Sequence, residues 1–199
     1  MKLFIITIAA SALTFFGIAH GYGVPDVIPD VTWDMPINPA DKNSATVSIT
    51  GTIQKAVAKM EADYPGWNAT LMARGPSYGG ARLEQPIRYD CNVKVDDTCE
   101  QSIVYYGAAY LLGMDGNAKN GPGPENCGRV SCSYNAAIIW CNNNNEDKEV
   151  EWWRIGRAAA MITRHCGAEF AGRWDMKGHA DFEDGWRVER GRLALESRT

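Results

Sequence analysis

The sequence predicts an α+β fold, an antiparallel sheet packed by two or three helices and held by disulfides. Three observations carry this expectation. Period-two alternation marks strands at Pro86–Val95 and along the tail from Gly172. Apolar residues at helical spacing mark Thr52–Tyr64 and Lys148–Cys166 as helices. Six cysteines, an even number, fall between Cys91 and Cys166.

The chain opens with Met1-Lys2, an almost unbroken apolar run from Leu3 to Ile18, and the small-residue pattern Ala19-His20-Gly21. This reads as a signal peptide over residues 1–21, cut near Gly21–Tyr22, with an uncleaved N-terminal anchor as the alternative. The run is short for a membrane span and no second long one follows. A secreted, extracellular product with no membrane span after cleavage is therefore expected. Cleavage would leave 178 of 199 residues and, with Lys2 gone, move the net charge from −4 to −5. That length suits a single domain, placed at residues 48–195. The acidic balance argues against general nucleic-acid binding by phosphate neutralisation.

Residues 22–47 carry the tandem unit GVPDVIPDV followed by Pro36 and Pro39. Proline fixes φ and biases its predecessor toward extended backbone. The zone reads as an extended arm without regular structure, pinned by Trp33, or as a disordered leader. Beyond it, Ile53, Val57 and Met60 share one helical face, and Pro65-Gly66 stops the helix. The glycine-rich stretch Arg74–Arg82 reads as a loop. In Pro86–Val95, Ile87, Tyr89, Cys91, Val93 and Val95 point one way and Arg88, Asp90, Asn92 and Lys94 the other.

The apolar run Ile103–Met114 is ambiguous, and its aromatics and Gly107 favour a strand, at least over the second half. Residues 115–125 read as a turn-rich loop. Tyr134–Asn142 is expected to be a helix capped by Ser131 or Ser133 and ended by the asparagines at 142–145. On Lys148–Cys166 the inner stripe is Ile155, Ala158, Ala159, Ile162 and Cys166, with Arg157 and Arg164 opposite, Trp153 beside them and Gly167 as the stop. The tail reads as a hairpin about Asp184-Gly185, with Trp174, Met176 and Gly178 leading to Phe182, Trp186 and Val188 returning, and the last few residues frayed.

The cysteines Cys91, Cys99, Cys127, Cys132, Cys141 and Cys166 are expected to form up to three disulfides, with fifteen connectivities open. No CxxC pair offers half a zinc site with a matching second half, so disulfides are expected rather than a metal, and no cofactor is indicated. An even count also argues against a catalytic thiol. One sequon, Asn68-Ala69-Thr70, offers a glycosylation site.

The best enzymatic constellation is ribonuclease-like. It would use His165, His179 and Glu183, with Arg173 or Arg187 stabilising a phosphate. It rests on residue types alone, and His165 also suits a bland role at a helix C-terminus. No G-x-S-x-G or phosphate-binding glycine loop is present. Trp153 with Arg157 and Arg164 forms the other candidate, either an interface anchor or a surface cation–π pair.

The run GPGPENCGRVSCSYNAAIIWCNNN, the later MITRHC and the preceding YLLGMDGNAKN resemble small secreted cysteine-rich proteins of filamentous fungi, many of them candidate effectors. The order of elements is similar to the killer-toxin-like α/β sandwich, in which two antiparallel helices pack on an antiparallel sheet. The resemblance implies extracellular action as an effector, virulence or toxin-like factor that binds a host or competitor protein or cell-surface component. It supplies no catalytic residues. A secreted hydrolase and a structural cell-wall protein are the alternatives.

Overall fold

A five-stranded antiparallel sheet is the frame on which the rest of the chain is placed. The computed structural model describes residues 28–77, 84–91, 99–134, 136–170 and 173–192, so the expected leader at 1–21 and the frayed end lie outside the described residues. In chain order the elements are β1 (Thr32–Pro36), β2 (Thr46–Thr50), α1 (Ile53–Asp63), α2 (Trp67–Arg74), β3 (Arg88–Asp90), β4 (Cys99–Glu100), α3 (Gln101–Gly113) and β5 (Asn117–Asn120). They continue with β6 (Asn126–Ser133), β7 (Ala136–Asn142), β8 (Lys148–Glu151), α4 (Trp152–Cys166), β9 (Gly167–Phe170), β10 (Arg173–Met176), β11 (Gly178–Asp181) and β12 (Trp186–Arg192). The main sheet has the order β3-β11-β12-β7-β6. β4-β10-β9 form a second sheet, and β1-β2 and β5-β8 are two-stranded ladders. The chain is thus α+β with antiparallel sheets.

β7 is buried along its whole length. Ala136, Ile138 and Trp140 face the main core, while Ala137, Ile139 and Cys141 face the other side, where Ile28 and Cys127 pack on them. A strand buried on both faces has no polar residues to alternate with, so its apolar run satisfies helical spacing equally well. This overturns the helix expected at Tyr134–Asn142. Ser131 and Ser133 belong to β6 and are not caps. The asparagines organise the strand's end instead: the buried Asn142 donates to Gly121 O (2.8 Å) and Glu146 O (2.7 Å).

The opposite correction applies to Ile103–Met114, ambiguous in sequence with a strand favoured at least over its second half, and found in α3. This helix is hemmed in on two sides, by the sheet and by α4. A methyl group on Gly107 would meet the Ser131 side chain and Ile138, and one on Gly156 would lie 2.7 Å from Leu111 Cβ and 2.9 Å from Ala108 O. The two helices therefore approach closely only because Gly156 has no side chain. Burial on two sides removes the one-sided stripe by which an amphipathic helix is recognised. Gln101, at the start of α3, lies beside Gly167, just past the end of α4, so the helices run antiparallel. Both rest on one face of the main sheet, α3 on β6 and β7, α4 on β12, β11 and β3.

The zone expected to be irregular carries β1 at Thr32–Pro36 and, after turns over residues 37–45, enters β2 at Thr46. β1 and β2 form a five-pair ladder. Trp33 is the pin: it is fully buried, donates from its indole N–H to Gly51 O (2.8 Å), and stacks on Trp152 at 3.9 Å. α1 buries Ile53, Ala56, Val57 and Met60, as its spacing predicts. α2 precedes the expected loop, and most of Arg74–Arg82 lies outside the described residues. The loop expected at 115–125 contains β5, which pairs with Lys148–Glu151; the helix expected from Lys148 therefore starts at Trp152. The strand expected at Pro86–Val95 is described as β3 only, residues 92–98 lying outside. The tail hairpin is β11–β12 turning through Asp184-Gly185, but Trp174 and Met176 belong to β10 in the second sheet.

Two disulfides are formed, Cys91–Cys166 and Cys127–Cys141. The first ties the end of β3 to the end of α4. The second links residues directly opposite each other on β6 and β7. Three bridges were the expected maximum. Cys99 and Cys132 instead carry thiols; their ladder partners are Met176 and Ala137.

Candidate functional site

Two surfaces gather the residues that could act on another molecule. The first is the outward face of the helix pair. α4 buries Trp152, Ile155, Gly156, Ala158, Ala159, Ile162, Thr163 and Cys166, which leaves Trp153 and Arg157 half-buried and Arg164 exposed on the remaining arc. α3 buries Val104, Gly107, Ala108 and Leu111 and leaves Tyr105 60% and Tyr106 68% exposed. The antiparallel register, with Gln101 beside Gly167 and Leu111 beside Gly156, sets Tyr105 level with the turn between Arg157 and Arg164. Neither helix contains an Asp or Glu. The ion-paired arginine of α4 is Arg154, which pairs with Glu84, Glu151 (3.2 Å) and Asp184 (3.7 Å). Among the described residues Arg157 and Arg164 have no ion pair, and Arg157 Nε is buried without a hydrogen-bond acceptor.

The second surface is the outer face of the main sheet, away from the helices. Cross-strand register sets Arg88, Asp181 and Arg187 in one row and Asp90, His179 and Glu189 in the next. Asp181 accepts from Arg88 Nε at 2.7 Å and from Arg187 Nε at 2.6 Å. Arg187 also reaches Glu189 at 3.2 Å and Glu125 at 3.3 Å. Burial pushes the Asp181 carboxyl up, but hydrogen bonds from Arg187 and Arg88 outweigh it and hold it below the usual carboxylate range. A shallow cavity of ≈ 240 Å³ lies beside the second row, lined by Asp90, Lys177, His179 and Glu189 among others. This face is a network whose charges largely satisfy one another.

The ribonuclease-like set is not brought together. Tyr89 stacks on His165 with ring centroids 4.1 Å apart, on the helix side of the sheet where its ladder partner Ala180 is buried in the core. His179, the neighbour of Ala180, points to the other side, 3.7 Å from Asp181 and 3.4 Å from Arg88. The sheet thus stands between the two histidines. Glu183 is exposed in the hairpin turn, and Arg173 belongs to the second sheet. Trp153, Arg157 and Arg164 do share one stripe.

Tyr105 and Tyr106 lie in the half of Ile103–Met114 that the sequence leaves ambiguous; the helical spacing of Val104, Ala108 and Leu111 is the signal that finds them. Asp181 and Glu189 were legible in the tail's alternation, but their partners Arg88 and Asp90 come from a distant strand. Asn68 lies in the first turn of α2 with its side-chain oxygen buried, and Thr70 of the same sequon donates to Gly66 O (2.9 Å). Glu125, Cys127 and Cys141 bring possible ligand atoms within 4.8 Å of one another. The two sulfurs are the Cys127–Cys141 bridge, so they are not thiolates and cannot ligate as such.

No known protein family, curated protein or solved structure matches the chain.

Proposed function

We propose that the protein is a secreted, effector- or toxin-like factor that binds a host or competitor target through the outward face of its α3–α4 pair. The observation that carries this reading is that two closely packed helices each turn large binding-type side chains outward, two highly exposed tyrosines on α3 and a Trp–Arg–Arg stripe on α4. Exposed aromatic rings on a rigid scaffold lose little conformational freedom on binding, and Trp, Tyr and Arg dominate the energetics of protein interfaces. The two disulfides and the lack of any helix long and apolar enough to span a membrane among the described residues are compatible with export. The killer-toxin-like sandwich is supported in its layout only, by the antiparallel helix pair on an antiparallel sheet.

The test is binding of fluorescently labelled, oxidised protein to intact host and competitor cells. Replacing Tyr105 and Tyr106 by Ala, at exposed sites that leave the core untouched, is expected to cut cell binding by about tenfold with unchanged circular dichroism. Equal binding by the folded variant refutes the assignment of this face.

A further inference from the structure

The charge pattern of the helix face identifies the chemistry of its partner; this step rests on the binding reading above. The chain carries 24 acidic and 20 basic residues, so a surface patch drawn at random would hold carboxylates. The outward face of α3 and α4 draws none from either helix. Among the described residues, the carboxylates that precede the two helices are Glu100, which accepts from the Ser102 hydroxyl, and Glu151, which pairs with Arg154. Arg157 and Arg164, one at mid-helix and one in the last turn, have no ion pair among the described residues, whereas Arg88, Arg129, Arg154 and Arg187 all do. Among the described residues the outward arcs of α3 and α4 are therefore cationic and aromatic, on an acidic molecule.

We infer that its partner is a protein surface presenting a cluster of Asp and Glu side chains, which seat on Arg157 and Arg164 while apolar side chains pack on Tyr105 and Trp153. A guanidinium recognises a carboxylate through two parallel hydrogen bonds, which makes arginine suited to discrete carboxylates. Two arginines interleaved with rings match a patch of mixed acidic and apolar side chains. An anionic membrane is recognised instead by a dense basic cluster of four to eight Lys or Arg, which this face lacks. Because the chain carries a net charge of −4, an acidic partner gains most from approach at this face, which orients the encounter.

The experiment measures fluorescence anisotropy of a labelled synthetic peptide of repeated Asp-Glu-Leu with the full, oxidised protein. Polygalacturonate and phosphatidylserine vesicles serve as competing arms. The wild type is expected to bind the peptide, with affinity falling at least about tenfold between about 50 and 300 mM NaCl. R157Q/R164Q is expected to lose at least about tenfold at low salt, R157K/R164K to retain part of the binding, and R88Q, on the other face, to bind as the wild type does. No binding by the wild type, equal binding by R157Q/R164Q, or tighter binding to polygalacturonate or to the vesicles overturns the inference. In the cell assay, binding lost in Y105A/Y106A but kept in R157Q/R164Q overturns the acidic partner and keeps the face. Binding kept in both overturns the face itself.

Discussion

The two faces of this molecule use arginine in opposite ways. On the outer face of the sheet, Arg88 and Arg187 converge on one carboxylate, Asp181, and Arg187 spends its remaining donors on Glu125 and Glu189. On the outward face of the helix pair, Arg157 and Arg164 share α4's outer arc with Trp153 and have no acid from their own helix or from α3. The difference teaches that charge count alone says little about where a protein acts. A charge whose partner lies within the same chain has its interaction spent on the fold, whereas an unpaired cation beside aromatic surface keeps its interaction for another molecule.

The largest test of the contrast concerns what joins the faces. Cys91–Cys166 ties the edge strand of the charged face to the end of α4 across 75 residues, whereas Cys127–Cys141 spans 14. In the chain-entropy account the first bridge contributes about 4.5 kcal/mol and the second about 3 kcal/mol. Urea melts of C91S/C166S and C127S/C141S should rank in that order, and the reverse order would show that the bridge within the sheet matters more than the one between layers.

Next comes the spacing of the helix pair. Gly156→Val sets side-chain atoms against the Ala108 carbonyl and the Leu112 amide, each 2.9 Å from the first added carbon. Backbone cannot move aside as a flexible side chain would, so a loss of about 3 kcal/mol is expected by thermal denaturation. Cell binding measured on whatever folded protein remains should also fall, since the outward stripe is splayed.

A smaller effect is expected from Asp181→Asn, about 1–2 kcal/mol after allowing for the partial exposure of the pair partners. The folded carboxyl sits below its unfolded value, so its contribution is present above the unfolded value near 4 and is lost as pH falls through the folded one. D181N should therefore flatten the fall in stability below about pH 4, and a slope identical to the wild type's would contradict the assigned role. The smallest effect is expected from Arg164→Gln, within about 0.5 kcal/mol in a urea melt. A larger loss would show that Arg164 serves the fold after all and would blur the distinction between the faces.

Much of the fold was legible where one face of an element meets water. The stripe of α1, the inner and outer sides of α4, and the hairpin at Asp184-Gly185 all follow from polar residues that mark the exposed side. Legibility failed where no charged side marks the period. β7 is buried on both faces and reads as a helix, and α3 shows water aromatic rings in place of charges, so a strand is favoured for it. The candidate site followed the same division. Trp153, Arg157 and Arg164 were legible because they lie opposite the apolar stripe of α4, while Tyr105 and Tyr106 fall in a run whose period is ambiguous.

By itself, then, the sequence determined the α+β class, the helices that have a wet side, the tail hairpin and the Trp–Arg–Arg stripe, because hydrophobic periodicity is a local property of the chain. Only the tertiary structure decided which cysteines pair, that the sheet separates His165 from His179, and that Tyr105 on α3 comes level with the turn between Arg157 and Arg164 on α4. Those facts depend on which strands become neighbours and on how closely Gly156 lets two helices approach, and such distances between remote residues are set by packing that no local pattern records.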